Sequence, residues 1–125
     1  MDEARAALRR VFGFEEFRGV QALVVERVLN GRSSLAVMPT GAGKSLTYQL
    51  PATMLEGTCV VISPLIALMH DQLRAARANG IRAATLTSAD ADWRETMDAY
   101  RGGQLELLYV APERASQPQF RDFLA

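Results

Sequence analysis

Apolar residues at Ala4, Ala7, Leu8 and Val11 recur every three or four positions, so residues 3–12 are predicted to form a short amphipathic helix that Gly13 interrupts. A second helical stretch over residues 18–29 sets Ala22, Val25, Val28 and Leu29 on one side before Asn30-Gly31 stops it. Beyond that point the period changes. Leu35-Ala36-Val37-Met38 is a short apolar run leading straight into Pro39-Thr40-Gly41-Ala42-Gly43-Lys44-Ser45, which parses as a strand, a turn and the start of a helix. Cys59-Val60-Val61-Ile62-Ser63 is β-branched and does not alternate, as expected of a parallel strand covered on both faces. Residues 65–79 read as a helix ended by Gly80, and residues 82–86 as a short strand. Asp92-Trp93-Arg94-Glu95 fits a capping box for a helix reaching about Tyr100 before Gly102-Gly103. A last strand over residues 105–110 is closed by Ala111-Pro112. Strands alternating with helices at this spacing predict an α/β fold with a mainly parallel sheet flanked by helices. No repeat, low-complexity tract or linker interrupts the 125 residues, which read as one continuous domain.

Composition narrows the partners. The chain balances 14 basic against 14 acidic residues and is 49% apolar, which excludes a disordered tail. A protein that coats DNA or lies on a membrane normally carries an excess of Lys and Arg, so any nucleic acid bound here is held locally. The single cysteine, Cys59, removes a disulfide framework and a cysteine-rich zinc site, and its β-branched neighbours predict a buried, inert thiol. No apolar run approaches a membrane span, and the acidic start Met1-Asp2-Glu3 is unlike a signal peptide, so a reducing cytosol is expected. Of the basic residues only Lys44 is lysine.

That lysine lies in the strongest chemical motif. In Thr40-Gly41-Ala42-Gly43-Lys44-Ser45 the glycines let successive backbone N–H groups point at phosphate oxygens, and the following helix adds its partial positive charge. Lys44 is placed to reach β- and γ-phosphates, and the Ser45 hydroxyl to ligate Mg²⁺. The full pattern would have glycine where this chain has Met38, so the match is to its second half; a tight strand-to-helix connection without a ligand is the plainer reading.

The flanking residues resemble the opening motifs of RecQ-family DNA helicases. The resemblance runs through Phe12-Gly13-Phe14-Glu15-Glu16-Phe17-Arg18-Gly19-Val20-Gln21 and Val37 to Ala52, then Val61-Ile62-Ser63-Pro64-Leu65-Ile66-Ala67-Leu68-Met69-His70-Asp71-Gln72 and Leu107-Leu108-Tyr109-Val110-Ala111-Pro112-Glu113-Arg114. It implies a P-loop NTPase of RecA-like fold, incomplete at its C-terminus, with N-terminal helices and an adenine-recognition motif in residues 1–31 and the α/β core in 32–125. It further implies that Gln21 reads the adenine edge, that Phe14 stacks on the base, and that Arg18 lies beside the nucleotide. Phe12, Phe14 and Phe17 would equally serve as core anchors; the motif favours nucleotide contact for Phe14 and leaves Phe12 and Phe17 to the core. Two departures stand out: Gly19-Val20 replaces the usual Pro-Gly before the glutamine, and Ala42 replaces a glycine in the loop.

The same resemblance makes Ser63, Pro64 and Leu65 a contact for single-stranded DNA at a strand's carboxyl end, where open α/β sheets place ligands. Arg114 becomes a candidate for a DNA phosphate. Pro64 near a first helical turn also suits a purely structural role. Thr87-Ser88 falls on a further backbone-contacting motif, with a short match. His70, Arg74, Arg77 and Arg82 read as surface residues, and Trp93 as a packing residue.

For the parent protein the resemblance implies an ATP- and Mg²⁺-dependent 3′-to-5′ DNA helicase acting on single-stranded and partly duplex DNA in recombination and repair. A cytoplasmic, bacterial nucleoid-associated setting is expected, without a membrane. The acidic Asp-Glu-Ala-His motif needed for hydrolysis does not occur in these residues, because the only histidine follows Leu68-Met69. The chain is therefore expected to bind nucleotide weakly without turning it over. An absent strand inside the sheet is expected to leave an edge unpaired, making the piece marginally stable or self-associating. A non-catalytic nucleotide- or DNA-binding module and a DEAD-box-type RNA helicase are the alternative readings.

Overall fold

The computed structural model describes residues 1–36, 44–63, 66–86, 93–118, 120 and 122. It divides into two compact units, Met1–Glu56 and Gly57–Ala125.

The first unit is helical in its described part. Helix α1, Asp2–Ala7, runs directly into a π-helical turn, Leu8–Phe12, which ends at Gly13 with φ 75°. Helices α2, Gln21–Leu29, and α3, Leu46–Met54, follow. Ala4, Ala7 and Leu8 bury the apolar stripe read from the sequence against Val25, Leu46 and Leu50. Phe12 and Phe17 pack partly buried against this cluster, as expected of core anchors. Inside α3, Pro51 is fully buried; lacking an N–H, it removes one internal helix bond.

Leu35 and Ala36 correct the predicted strand over residues 35–38. Neither is in a strand, and Leu35 is 93% exposed. A hydrophobic run becomes a strand only where a neighbour completes its hydrogen bonds, and no described strand does so there. Val37 and Met38 lie outside the described residues.

The second unit contains the sheet. Strands β1, Cys59–Ile62, β2, Ala83–Leu86, and β3, Leu107–Val110, are all parallel in the order β1-β3-β2. Helix α4, Ile66–Ala78, connects β1 to β2, and α5, Trp93–Arg101, connects β2 to β3. The central strand takes the fully covered position, with Leu107, Leu108, Tyr109 and Val110 all buried. Strand β1 is only half-buried and its Ile62 is 58% exposed, a correction to the expected two-sided cover. Edge position alone is not the cause, since β2 also pairs with β3 alone and is fully buried; α4 and α5 pack against β2, whereas among the described residues helices hardly cover β1.

A short helix α6, Pro112–Ala115, begins where only a closing turn was predicted; Pro112 sits at its first position, where the missing N–H costs nothing. The capping residue Asp92 lies outside the described residues. Cys59 is half-buried rather than fully enclosed, and that burial raises its thiol pKa. No described helix is long and apolar enough to cross a membrane.

Candidate functional site

In the first unit the wide turn at Leu8–Phe12 sets the geometry of the predicted base-contacting residues. The Phe14 N–H reaches back to the Leu8 carbonyl at 3.3 Å, six residues away, and Gly13 supplies the left-handed conformation that closes the turn. Phe14 is thereby left 58% exposed, in contrast to Phe12 and Phe17. An exposed ring outside the core is a surface against which a planar group can stack.

Gln21 opens α2 and is buried, 4% exposed. Its Oε1 accepts the Arg18 backbone N–H at 2.8 Å, so the carboxamide also serves the helix entry in the manner of a capping box. Phe14, Arg18 and Gln21 thus lie on one short segment at the start of α2, while the contact that fixes Gln21 was not legible from the motif.

Lys44 and Ser45 form the turn that enters α3. Lys44 is exposed and Ser45 half-buried. Ser45 is the N-cap residue, yet its hydroxyl makes no capping hydrogen bond, and the first turn of α3 has no acidic residue. A hydroxyl not spent on capping and a cation beside the positive end of a helix fit a phosphate and its divalent metal. Thr47, missed from the sequence, donates both its hydroxyl and its N–H to the Lys44 carbonyl and so fixes the backbone beneath the lysine. A hydroxyl three residues after Lys44 was the available signal. Thr40, Gly41, Ala42 and Gly43 lie outside the described residues.

In the second unit Ser63 and Arg114 share the carboxyl edge of the sheet. The Ser63 N–H extends the ladder by donating to the Val110 carbonyl at 3.1 Å. Arg114 sits on α6 directly beyond β3, half-buried, and its Nε is enclosed without a hydrogen-bond partner among the described residues. Pro64, Leu65, Thr87 and Ser88 lie outside the described residues.

Arg74, Arg77 and Arg82 are occupied locally, in keeping with a surface role. Arg74 pairs with Asp71, Arg82 with Glu106 at 3.4 Å, and the Arg77 Nε donates to the Ala83 carbonyl at 3.1 Å. His70 is exposed. No cluster of three or more metal-ligating side chains occurs among the described residues.

A parallel α/β sheet with a lysine–serine turn opening a helix defines a class, and comparison with known proteins identifies it. The chain belongs to the DEAD/DEAH box helicase family, whose model matches residues 18–122. Its similarity within that family is to RecQ DNA helicases, as the motifs implied. It is 44% identical over 119 residues, or 94% of its length, to the ATP-dependent DNA helicase RecQ of Haemophilus influenzae, covering 19% of that protein. It is 41% identical over 123 residues, or 96% of its length, to RecQ of Bacillus subtilis, covering 21% of it. The chain thus spans about a fifth of the length of these curated relatives. The fold matches a solved structure of a hypothetical ATP-dependent RNA helicase from Sulfolobus tokodaii. The TM-score is 0.72 at 20% identity, over 98% of this chain and 38% of the other. The architecture is accordingly part of a RecA-like helicase domain.

Proposed function

We propose that this chain supplies the nucleotide-binding part, and a portion of the DNA grip, of an ATP-dependent 3′-to-5′ DNA helicase acting in recombination and repair. The observation that carries the reading is 44% identity to a RecQ helicase over 94% of the chain.

In this reading Lys44 neutralises the β- and γ-phosphates of ATP, with the amides of Thr40, Gly41, Ala42 and Gly43 around them. The Ser45 hydroxyl, uncommitted to its own helix, holds Mg²⁺. The exposed Phe14 ring stacks on adenine, Gln21 reads its edge, and Arg18 lies beside them. Single-stranded DNA lies against Ser63, Pro64 and Leu65. A DNA phosphate pairs with the guanidinium of Arg114, whose Nε finds no acceptor among the described residues. A divalent metal held there would, together with Lys44, neutralise the charge on the triphosphate that phosphoryl transfer develops. With no Asp-Glu-Ala-His among the 125 residues, the chain alone binds ATP without hydrolysing it.

Equilibrium binding of a fluorescent ATP analogue and a steady-state ATPase assay with single-stranded DNA test this together. The expected result is Mg²⁺-dependent binding that Lys44→Ala abolishes, with no turnover. Unchanged binding in Lys44→Ala, or robust turnover lost in that variant, would refute the corresponding half of the proposal. Unwinding of DNA against RNA duplexes by a longer protein containing this chain separates DNA from RNA helicase activity.

A further inference from the structure

Residues 13–15 are tied back, one after another, to the π-helical turn that precedes them. The Gly13 N–H donates to the Arg9 carbonyl at 3.1 Å and the Phe14 N–H to the Leu8 carbonyl at 3.3 Å. The third tie joins side chains: the Arg9 Nε lies 3.2 Å from a Glu15 carboxylate oxygen. The near end of this arrangement is firm, because Leu8 is fully buried in the helical core. Phe12 and Phe17 pack partly buried against the same core on either side of it. Between those anchors residues 13–16 belong to no helix or strand, and Phe14 stands among them 58% exposed.

The backbone bonds and the ion pair restrain different freedoms. The bonds at Gly13 and Phe14 fix the chain as far as the Phe14 nitrogen. Rotation about the two soft dihedrals of Phe14 would still swing its ring and the residues after it. The Arg9–Glu15 contact closes the loop on the far side of the ring and opposes that swing. Among the described residues neither side chain forms another ion pair. Both are largely exposed, 55% and 84%, so the pair is screened by solvent and adds little to the stability of the unit. A contact of that strength shifts an equilibrium by about two- to fivefold, enough to bias a ring between orientations.

We propose that Arg9 and Glu15 are positioning residues for the nucleotide base, their ion pair holding Phe14 in the orientation that stacks on it. The inference rests on the reading of Phe14 as the base-stacking ring. A ring held beforehand avoids an ordering cost on binding, and once the pair is broken the apparent affinity falls with the fraction of chains that keep the competent orientation. Only ligands that carry a base feel this loss.

Displacement of a fluorescent ATP analogue from the whole chain, by ATP and separately by inorganic tripolyphosphate, each with Mg²⁺, tests the assignment. The ratio of the two affinities isolates the base from the phosphates, and a general loss of fold stability leaves it unmoved. Arg9→Gln and Glu15→Gln should each lower the preference for ATP by about two- to fivefold. The double variant should lose no more than either single one, because one contact is lost once. A ratio lowered by Phe14→Ala but unchanged in Arg9→Gln and Glu15→Gln overturns this inference alone. So do additive losses in the double variant, or an Arg9→Gln that weakens tripolyphosphate as much as ATP, since the arginine then serves the phosphates. A ratio unchanged in Phe14→Ala overturns the base-stacking reading and this inference with it.

Discussion

Gln21 holds the entry of α2 and is also the residue proposed to read the base, and substitutions there separate the two roles. Its Oε1 accepts the Arg18 N–H at 2.8 Å in a position only 4% exposed. Gln21→Ala deletes that acceptor and leaves the amide unsatisfied, a loss of roughly 1–3 kcal/mol. At about 2 kcal/mol the opening equilibrium at Arg18 shifts roughly thirtyfold, since every 1.4 kcal/mol is a factor of ten. Gln21→Glu keeps an acceptor. Its carboxylate gains about 0.3–1 kcal/mol at the start of α2, and burial of the charge opposes this, so Arg18 should hold its protection within about fivefold. Neither variant can donate a hydrogen bond to a base while accepting another. Each should therefore lose the preference for ATP over GTP by about tenfold, the worth of one such contact. Amide hydrogen exchange followed by NMR reads the first effect, and competition between the two nucleotides reads the second. Unchanged exchange at Arg18 in Gln21→Ala would show that the carboxamide does not hold the helix entry. An ATP preference that survives Gln21→Glu would remove Gln21 from base recognition.

Leu108→Ala hollows the fully buried central strand and should cost about 2–5 kcal/mol in urea unfolding; a loss below 1 kcal/mol would contradict the central place of β3. Gly13 has φ 75° with open space around it, so Gly13→Ala should cost about 1–2 kcal/mol from backbone strain alone. Gly13→Asn should cost less, by thermal melting, because asparagine tolerates that conformation. Burial raises the Cys59 thiol pKa, so the folded chain keeps a proton that the unfolded chain loses. Its contribution is complete below the ordinary thiol pKa of about 8.5 and is lost as pH rises through the higher folded value, a decline that Cys59→Ala should abolish in melts across pH 7–11.

Parallel topology was legible because short strands alternate with helices along the chain, and the central β3 has the unbroken apolar composition of a strand enclosed on both faces. The same composition misled at β1 and at Leu35, where burial depends on neighbours in space. Cys59 to Ile62 have little helix cover among the described residues, and Leu35 has no described strand beside it. The amphipathic spacing at Ala4, Ala7 and Leu8 correctly foretold which face is buried. It did not foretell that the helix widens into a π turn, because the bond from Phe14 to Leu8 depends on the left-handed Gly13 downstream. Lys44 and Ser45 stand out by motif because phosphate chemistry restricts residue type. Thr47 and the Arg18–Gln21 contact escaped notice because many residue types can support a backbone equally well.

Beside the zero net charge of the sequence, local ion pairs offset some arginines and not others. Arg5, Arg9, Arg74 and Arg82 each meet a carboxylate, at Asp2, Glu15, Asp71 and Glu106. Most of these pairs are exposed and each adds no more than about 1 kcal/mol to stability. Their larger effect is to cancel the long-range attraction that would spread DNA over the whole surface. Lys44 has no ion-pair partner among the described residues, and neither does Arg114. A phosphate at either proposed site would meet positive charge that no described carboxylate pairs with, one at a helix entry and one beyond a strand end. Raising salt should weaken DNA binding only shallowly, with a slope set by the few phosphates gripped. A slope corresponding to six or more phosphates would show that the paired arginines open to bind DNA, and would refute this account of the neutral composition.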